Sequence, residues 1–137
     1  MQRRHTSQRS DAHFATAITC IDGRVQVPVI EWICNQMGVD FVDMITVPGA
    51  DWVLAFESDE QLAEIRRRVE VSTDAHGSQL LIVAGHHDCA ANPVSDFDHQ
   101  EHIRKAVQAA RRWQLPVRIV GVWINGDWQV EVVDDGS

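Results

Sequence analysis

Short apolar runs alternate with amphipathic stretches along this chain, and that alternation constrains its fold more than any other feature. Gln79-Leu80-Leu81-Ile82-Val83-Ala84 is unbroken apolar sequence after its first residue. A strand that reads this way suits a position buried on both faces of a parallel sheet. His13 to Thr19, Phe41 to Thr46 and Val117 to Trp123 read as further strands. Between them the apolar spacing turns helical. Pro28 suits the first turn of one helix, Ile30, Ile33, Cys34 and Met37 follow at helical spacing, and Gly38 caps it. Pro48-Gly49 breaks the second strand. Ser58 with Gln61 forms a capping box that opens a second helix, with Leu62, Ile65 and Val69 inward and Arg66, Arg67 and Arg68 toward water. Gly85 to Pro93 reads as a loop, and a third helix from about Asp98 to Trp113 turns Ile103, Val107 and Ala110 inward. Asn125-Gly126 predicts a hairpin, so that Trp128 to Val133 returns as an antiparallel edge strand before a frayed tail, Asp134 to Ser137. This order predicts an α/β fold. Its sheet of about five strands is mostly parallel, carries helices on both faces and ends in an antiparallel strand.

With 137 residues, the chain is expected to form a single domain over 12–137 behind a polar, mobile leader at 1–11. Twenty acidic residues against 12 basic ones give a formal charge of −8, which repels a phosphate backbone and argues against nucleic acid as a partner. No run approaches the roughly 18 apolar residues of a spanning helix, and the basic start lacks the apolar core of a secretory signal, so no membrane partner is expected. The three cysteines, Cys20, Cys34 and Cys89, are an odd number. Together with the missing signal they predict a reducing, cytoplasmic setting and free or metal-bound thiols rather than disulfides.

Ligands of parallel sheets bind beyond the carboxyl ends of the strands. Two polar loops fall there: Cys20-Ile21-Asp22-Gly23-Arg24, and Gly85 to Asn92. If their strands are neighbours, the loops converge. Cys20 can then join His86 and Cys89, which stand at His-x-x-Cys spacing, around one zinc ion; thiolate and imidazole are favoured zinc partners. Spacing alone also fits small buried cysteines that only pack. Asp22 and Arg24, taken alone, read as a salt bridge that staples a turn.

Cys-x-Asp-x-Arg at Cys20–Arg24, followed by Gly85-His86-His87-Asp88-Cys89, resembles the β-class carbonic anhydrases, which carry both segments in this order after sheet strands. The likeness runs in outline from about Phe14 through Val133, closely only in the two loops. It implies Zn²⁺ on Cys20, His86 and Cys89, with Asp22 and Arg24 as the catalytic pair. Two thiolates and a neutral imidazole would offset the zinc charge, leaving a fourth position for water or hydroxide. Asp22 would orient that group, and Arg24 would keep Asp22 ionised. The implied reaction is hydration of carbon dioxide to bicarbonate, or of an analogue such as COS or CS₂. In an alternative known in the family, Asp22 itself fills the fourth position and closes the site. The resemblance also implies a homodimer or higher homo-oligomer.

The chain departs from the family in places. Ala90 replaces a usual glycine after the last zinc cysteine, and Val47-Pro48-Gly49-Ala50-Asp51 replaces an Arg-Asn-Ala-Gly-like stretch. The pocket glutamine has no assigned position, although Gln26 and Gln36 are near in sequence. The helices usual before the first strand and after the second loop are shortened. These departures keep a second reading open, a non-catalytic zinc domain with a structural or regulatory role. A third is metal-free thiol chemistry at Cys20 and Cys89. A phosphatase-type Cys-x₅-Arg loop is excluded by Gln26. His87 could relay protons but reads first as an exposed loop residue. His99 and His102 read as a solvent-facing pair and Cys34 as core packing. Trp52 could line a pocket mouth, and Trp123 and Trp128 could pack across a dimer interface.

Overall fold

Four strands run parallel: β1 (Phe14–Thr19), β2 (Phe41–Thr46), β3 (Leu80–His86) and β4 (Arg118–Ile124). The fifth, β5 (Val130–Asp134), returns antiparallel to β4, and the sheet order is β2-β1-β3-β4-β5. This is a computed structural model that describes residues 12–137; the leader expected over 1–11 lies outside the described residues. The α/β architecture is the one the apolar runs predict. Every residue of β3 is buried, because successive side chains enter cores on opposite faces. Ile82 and Ala84 join the face covered by α1 (Gly23–Met37), where Val25, Val29 and Ile33 are buried. Leu81 and Val83 join the other face. That face is covered by α2 (Ala50–Phe56), α3 (Asp59–His76) and α4 (Asp96–Arg111), through Leu54, Leu62, Val69 and Val107 among others. Among the described residues no helix is long and apolar enough to cross a membrane.

Ser58 and Gln61 form the expected reciprocal capping box at the start of α3. Ser95 accepts the Asp98 amide at 3.1 Å and opens α4 two residues before the expected start.

Several local readings are corrected. α1 begins at Gly23, because the Asp22 carboxylate accepts the Arg24 amide at 2.9 Å and caps the helix there. Pro28 therefore sits inside the helix, not in its first turn. The buried stripe is Val25, Val29 and Ile33, while Ile30, Cys34 and Met37 are half-buried. α2 occupies the stretch after Pro48-Gly49, where the sequence signals only a break. β3 runs on through His86 because β4 stays in register beside it, pairing Gly85 with Trp123 and His86 with Ile124. The final turn is longer than a two-residue hairpin. The Asn125 carbonyl accepts the Trp128 amide at 2.9 Å, and Trp128 follows in the left-handed region at φ 60°. The tail is tied down, since Arg118 donates to the Asp135 carbonyl at 2.7 and 2.9 Å.

Candidate metal centre

The crossover from β1 places β2 on one side and the next, from β2, places β3 on the other side of β1, which makes the gap between β1 and β3 a topological switch point. Cys20 is the first residue past β1, His86 is the last of β3, and Cys89 lies three residues on. The fold thus brings all three together. Their ligand atoms lie within 4.8 Å of one another, and the two sulfurs are 3.9 Å apart. All three residues are buried.

The His86 ring is oriented for coordination. Its Nδ1 lies 2.7 Å from the His87 carbonyl oxygen, which can only accept, so Nδ1 carries a hydrogen. Nε2 is then the atom left for a ligand, and it is buried with no hydrogen-bond partner. A buried nitrogen without a partner is costly unless something binds it, and a metal ion satisfies it. Fixing the ring through its other nitrogen is the usual support for a metal-binding histidine.

The two thiols differ. Burial alone would raise Cys20, but the neighbouring His86 ring and the backbone amides of Asp22 and Gly49 outweigh it and bring the thiol down to about 7. Burial and the adjacent Cys20 push Cys89 up to about 11. For His86, burial opposes the charged form, yet Cys20 and the His87 carbonyl prevail and raise it. Two thiolates and an imidazole are a donor set that suits zinc.

Around this cluster the first loop is braced from below. The Gln26 amide nitrogen donates to the carbonyls of Cys20 at 2.7 Å and Asp22 at 2.9 Å, so Gln26 supports the turn's backbone. Asp22 is gripped by Arg24. Nη2 donates to Oδ2 at 2.7 Å, Nε reaches Oδ1 at 3.1 Å, and the Arg24 amide also reaches Oδ1. The guanidinium pulls the Asp22 carboxyl down to about 2.

Arg24 is itself held by Asp88 and Trp128. It donates to the Asp88 carbonyl at 3.1 Å and carboxylate at 3.3 Å, which links the first loop to the second. Its guanidinium lies 4.6 Å from the centre of the Trp128 ring. Asp88 and Trp128 both adopt left-handed backbone, at φ 57° and 60°, a costly conformation for a bulky residue such as tryptophan. Two of the three non-glycine residues in that region among the described ones thus converge on one guanidinium. Trp128 therefore serves Arg24 at the site. Trp123 is buried inside the chain, with its ring 5.2 Å from His99, and so is not a dimer contact.

His87 is part-exposed, with Nδ1 3.1 Å from Asp96. His99 and His102 are not a solvent-facing pair. His99 is buried against Asp51, and His102 is half-buried beside Asn92. Trp52 is exposed on α2, where its ring meets Phe56 at 5.6 Å.

Fold and site together define an α/β protein with a Cys-His-Cys cluster able to hold a metal at the carboxyl end of a parallel sheet. The family described as "Putative carbonic anhydrase" matches residues 10–134, and the chain belongs to that family. Among solved structures, the carbonic anhydrase from Glaciozyma antarctica is similar in fold. Its TM-score is 0.58 at 16% identity, covering 86% of this chain and 80% of that one. A search of curated protein sequences finds no match.

Proposed function

We propose that this chain is a zinc-dependent hydro-lyase that hydrates carbon dioxide to bicarbonate, or a close linear analogue such as COS or CS₂. The observation that carries the reading is the unpartnered His86 Nε2, buried between two thiols and beside an ion-paired Asp22–Arg24. Cys20, His86 and Cys89 would hold the ion. When bound, zinc supplies Lewis acidity and makes water acidic near neutral pH. Asp22, lowered to about 2, stays ionised at any physiological pH and can only accept hydrogen bonds. Its role is to take the O–H of the attacking water and so aim the oxygen at the substrate carbon. Arg24 keeps Asp22 charged and fixed. Because Arg24 occupies both carboxylate oxygens, the arrangement favours a fourth position open to solvent over Asp22 as ligand.

Stopped-flow hydration of CO₂ by zinc-loaded chain tests this. Turnover above the metal-free chain is expected. Asp22→Asn keeps the shape but can turn a donor toward the attacking oxygen, so it should lower turnover at least roughly 100-fold with zinc content unchanged. No turnover with zinc bound would leave a non-catalytic zinc domain.

The same proposal includes a homodimer in a reducing, cytoplasmic setting, in keeping with the free thiols of Cys20, Cys34 and Cys89. Exposed apolar side chains include Ile21 in the first loop, Val27 on α1, Trp52 and Phe56 on α2, and Val94 and Phe97 around the start of α4. A second copy would cover them. Light scattering should give twice the chain mass, and a monomer mass at micromolar concentration would contradict the dimer.

A further inference from the structure

Behind the metal cluster lies a second set of buried polar groups that the proposed reaction does not use. His99 Nδ1 is 2.6 Å from Asp51 Oδ2, and the two side chains are 1% and 2% exposed. Asn92, also buried, donates from Nδ2 to Asp51 Oδ1 at 3.1 Å and to His102 Nδ1 at 3.0 Å. The two hydrogens of one amide are thereby shared between α2, through Asp51, and α4, through His102. The Trp52 amide also donates to Asp51 Oδ1. Polar groups buried this deeply destabilise a core where they lack a partner, and His99 Nε2 has none. Their position suggests what they serve.

Asn92 sits three residues past Cys89, and the backbone amides of Asn92 and Ala91 both face the Cys89 sulfur. Gly49, just before α2, turns its amide to the Cys20 sulfur. Gly49 is also pressed so closely on Ala91 that a Cβ there would lie 3.2 Å from the Ala91 carbonyl oxygen. Asp51 is two residues further on. One short stretch, Gly49 to Asp51, thus touches Cys20 through an amide and reaches the Cys89 loop through Asn92.

We propose that Asp51, Asn92 and His99 are positioning residues of the metal centre. His99 holds the Asp51 carboxylate, Asp51 holds the Asn92 side chain, and Asn92 thereby fixes the amides that face the Cys89 thiolate. The inference rests on the zinc reading of Cys20, His86 and Cys89 and adds the support that sets its affinity. Outer partners of metal ligands commonly change affinity by roughly 10- to 100-fold.

The test loads the 137-residue chain with Co²⁺ and compares Asn92→Ala with the unaltered chain, reading the dissociation constant and the sulfur-to-cobalt absorption bands. Ser72→Ala is the control. It removes an equally buried hydroxyl bonded to Thr16 and Ser78 near the amino ends of β1 and β3. The expected result is a roughly 10- to 100-fold weaker Co²⁺ affinity and shifted bands for Asn92→Ala, with neither change for Ser72→Ala at a comparable loss of Tm. Asp51→Asn preserves the side-chain shape and gives the same reading should Asn92→Ala fail to fold. Unchanged affinity and bands at a lowered Tm would overturn the proposal, because the network would then only stabilise the fold. If the unaltered chain binds no Co²⁺ and its Cys20 and Cys89 thiols stay unprotected, the zinc reading falls and this proposal falls with it.

Discussion

His86→Ala is expected to weaken zinc binding by roughly two orders of magnitude. Zinc held by four protein ligands gains on the order of 10–16 kcal/mol near neutral pH, so one ligand carries about 3 kcal/mol, or two decades in Kd. The chain should still fold. β3 keeps its register with β4 through backbone bonds, and its other six residues stay buried. Competition against a chromophoric chelator, with circular dichroism as the check on folding, reads both quantities. Affinity equal to the unaltered chain would remove the imidazole from the ligand set. The buried Nε2 would then need another explanation.

Gly85→Ala should lower stability by about 3 kcal/mol, on the order of 10 °C in Tm for a chain of this size. A Cβ at position 85 would lie 2.7 Å from Asp51 Oδ2 and 3.0 Å from Ile103 Cδ1 and Cγ1. Neither neighbour can yield easily. Asp51 is held by His99, Asn92 and the Trp52 amide, and Ile103 is fully buried on α4. Moving the carboxylate would leave buried donors unmatched as well as crowding the core. Thermal unfolding gives the answer. A Tm within about 2 °C of the unaltered chain would show that the Asp51 network is looser than its distances imply.

Much of this arrangement can be read in the sequence, because it follows from local apolar patterning. β2 spans Phe41–Thr46 as its pattern predicts, and the interior of α3 follows from Leu62, Ile65 and Val69 after the Ser58 cap. The Cys-His-Cys cluster was legible because each ligand lies at or just past the end of a parallel strand, and neighbouring parallel strands end together. α2 is hard to read because its polarity is mixed: Ala50 and Leu54 point inward, but so does the Asp51 carboxylate, while the Trp52 and Phe56 rings point outward. Pro48-Gly49 before it signals only a turn. His99 gave no sign of its role, since its partner Asp51 is 48 residues away and a histidine pair on a helix usually faces water. α1 starts earlier than Pro28 implies because Asp22 both caps the helix and pairs with Arg24, and the pairing alone does not signal a cap. The grip of Asp88 and Trp128 on Arg24 depends on left-handed backbone at two non-glycine positions, which composition does not announce.

Zinc-edge X-ray absorption on the purified chain tests the central claim most directly. The account predicts one zinc per chain with two sulfur neighbours at about 2.3 Å and two lighter neighbours at about 2.0–2.1 Å, one of them an imidazole nitrogen. A shell with a third sulfur, a shell with none, or a chain that retains no zinc would contradict a centre built on Cys20, His86 and Cys89.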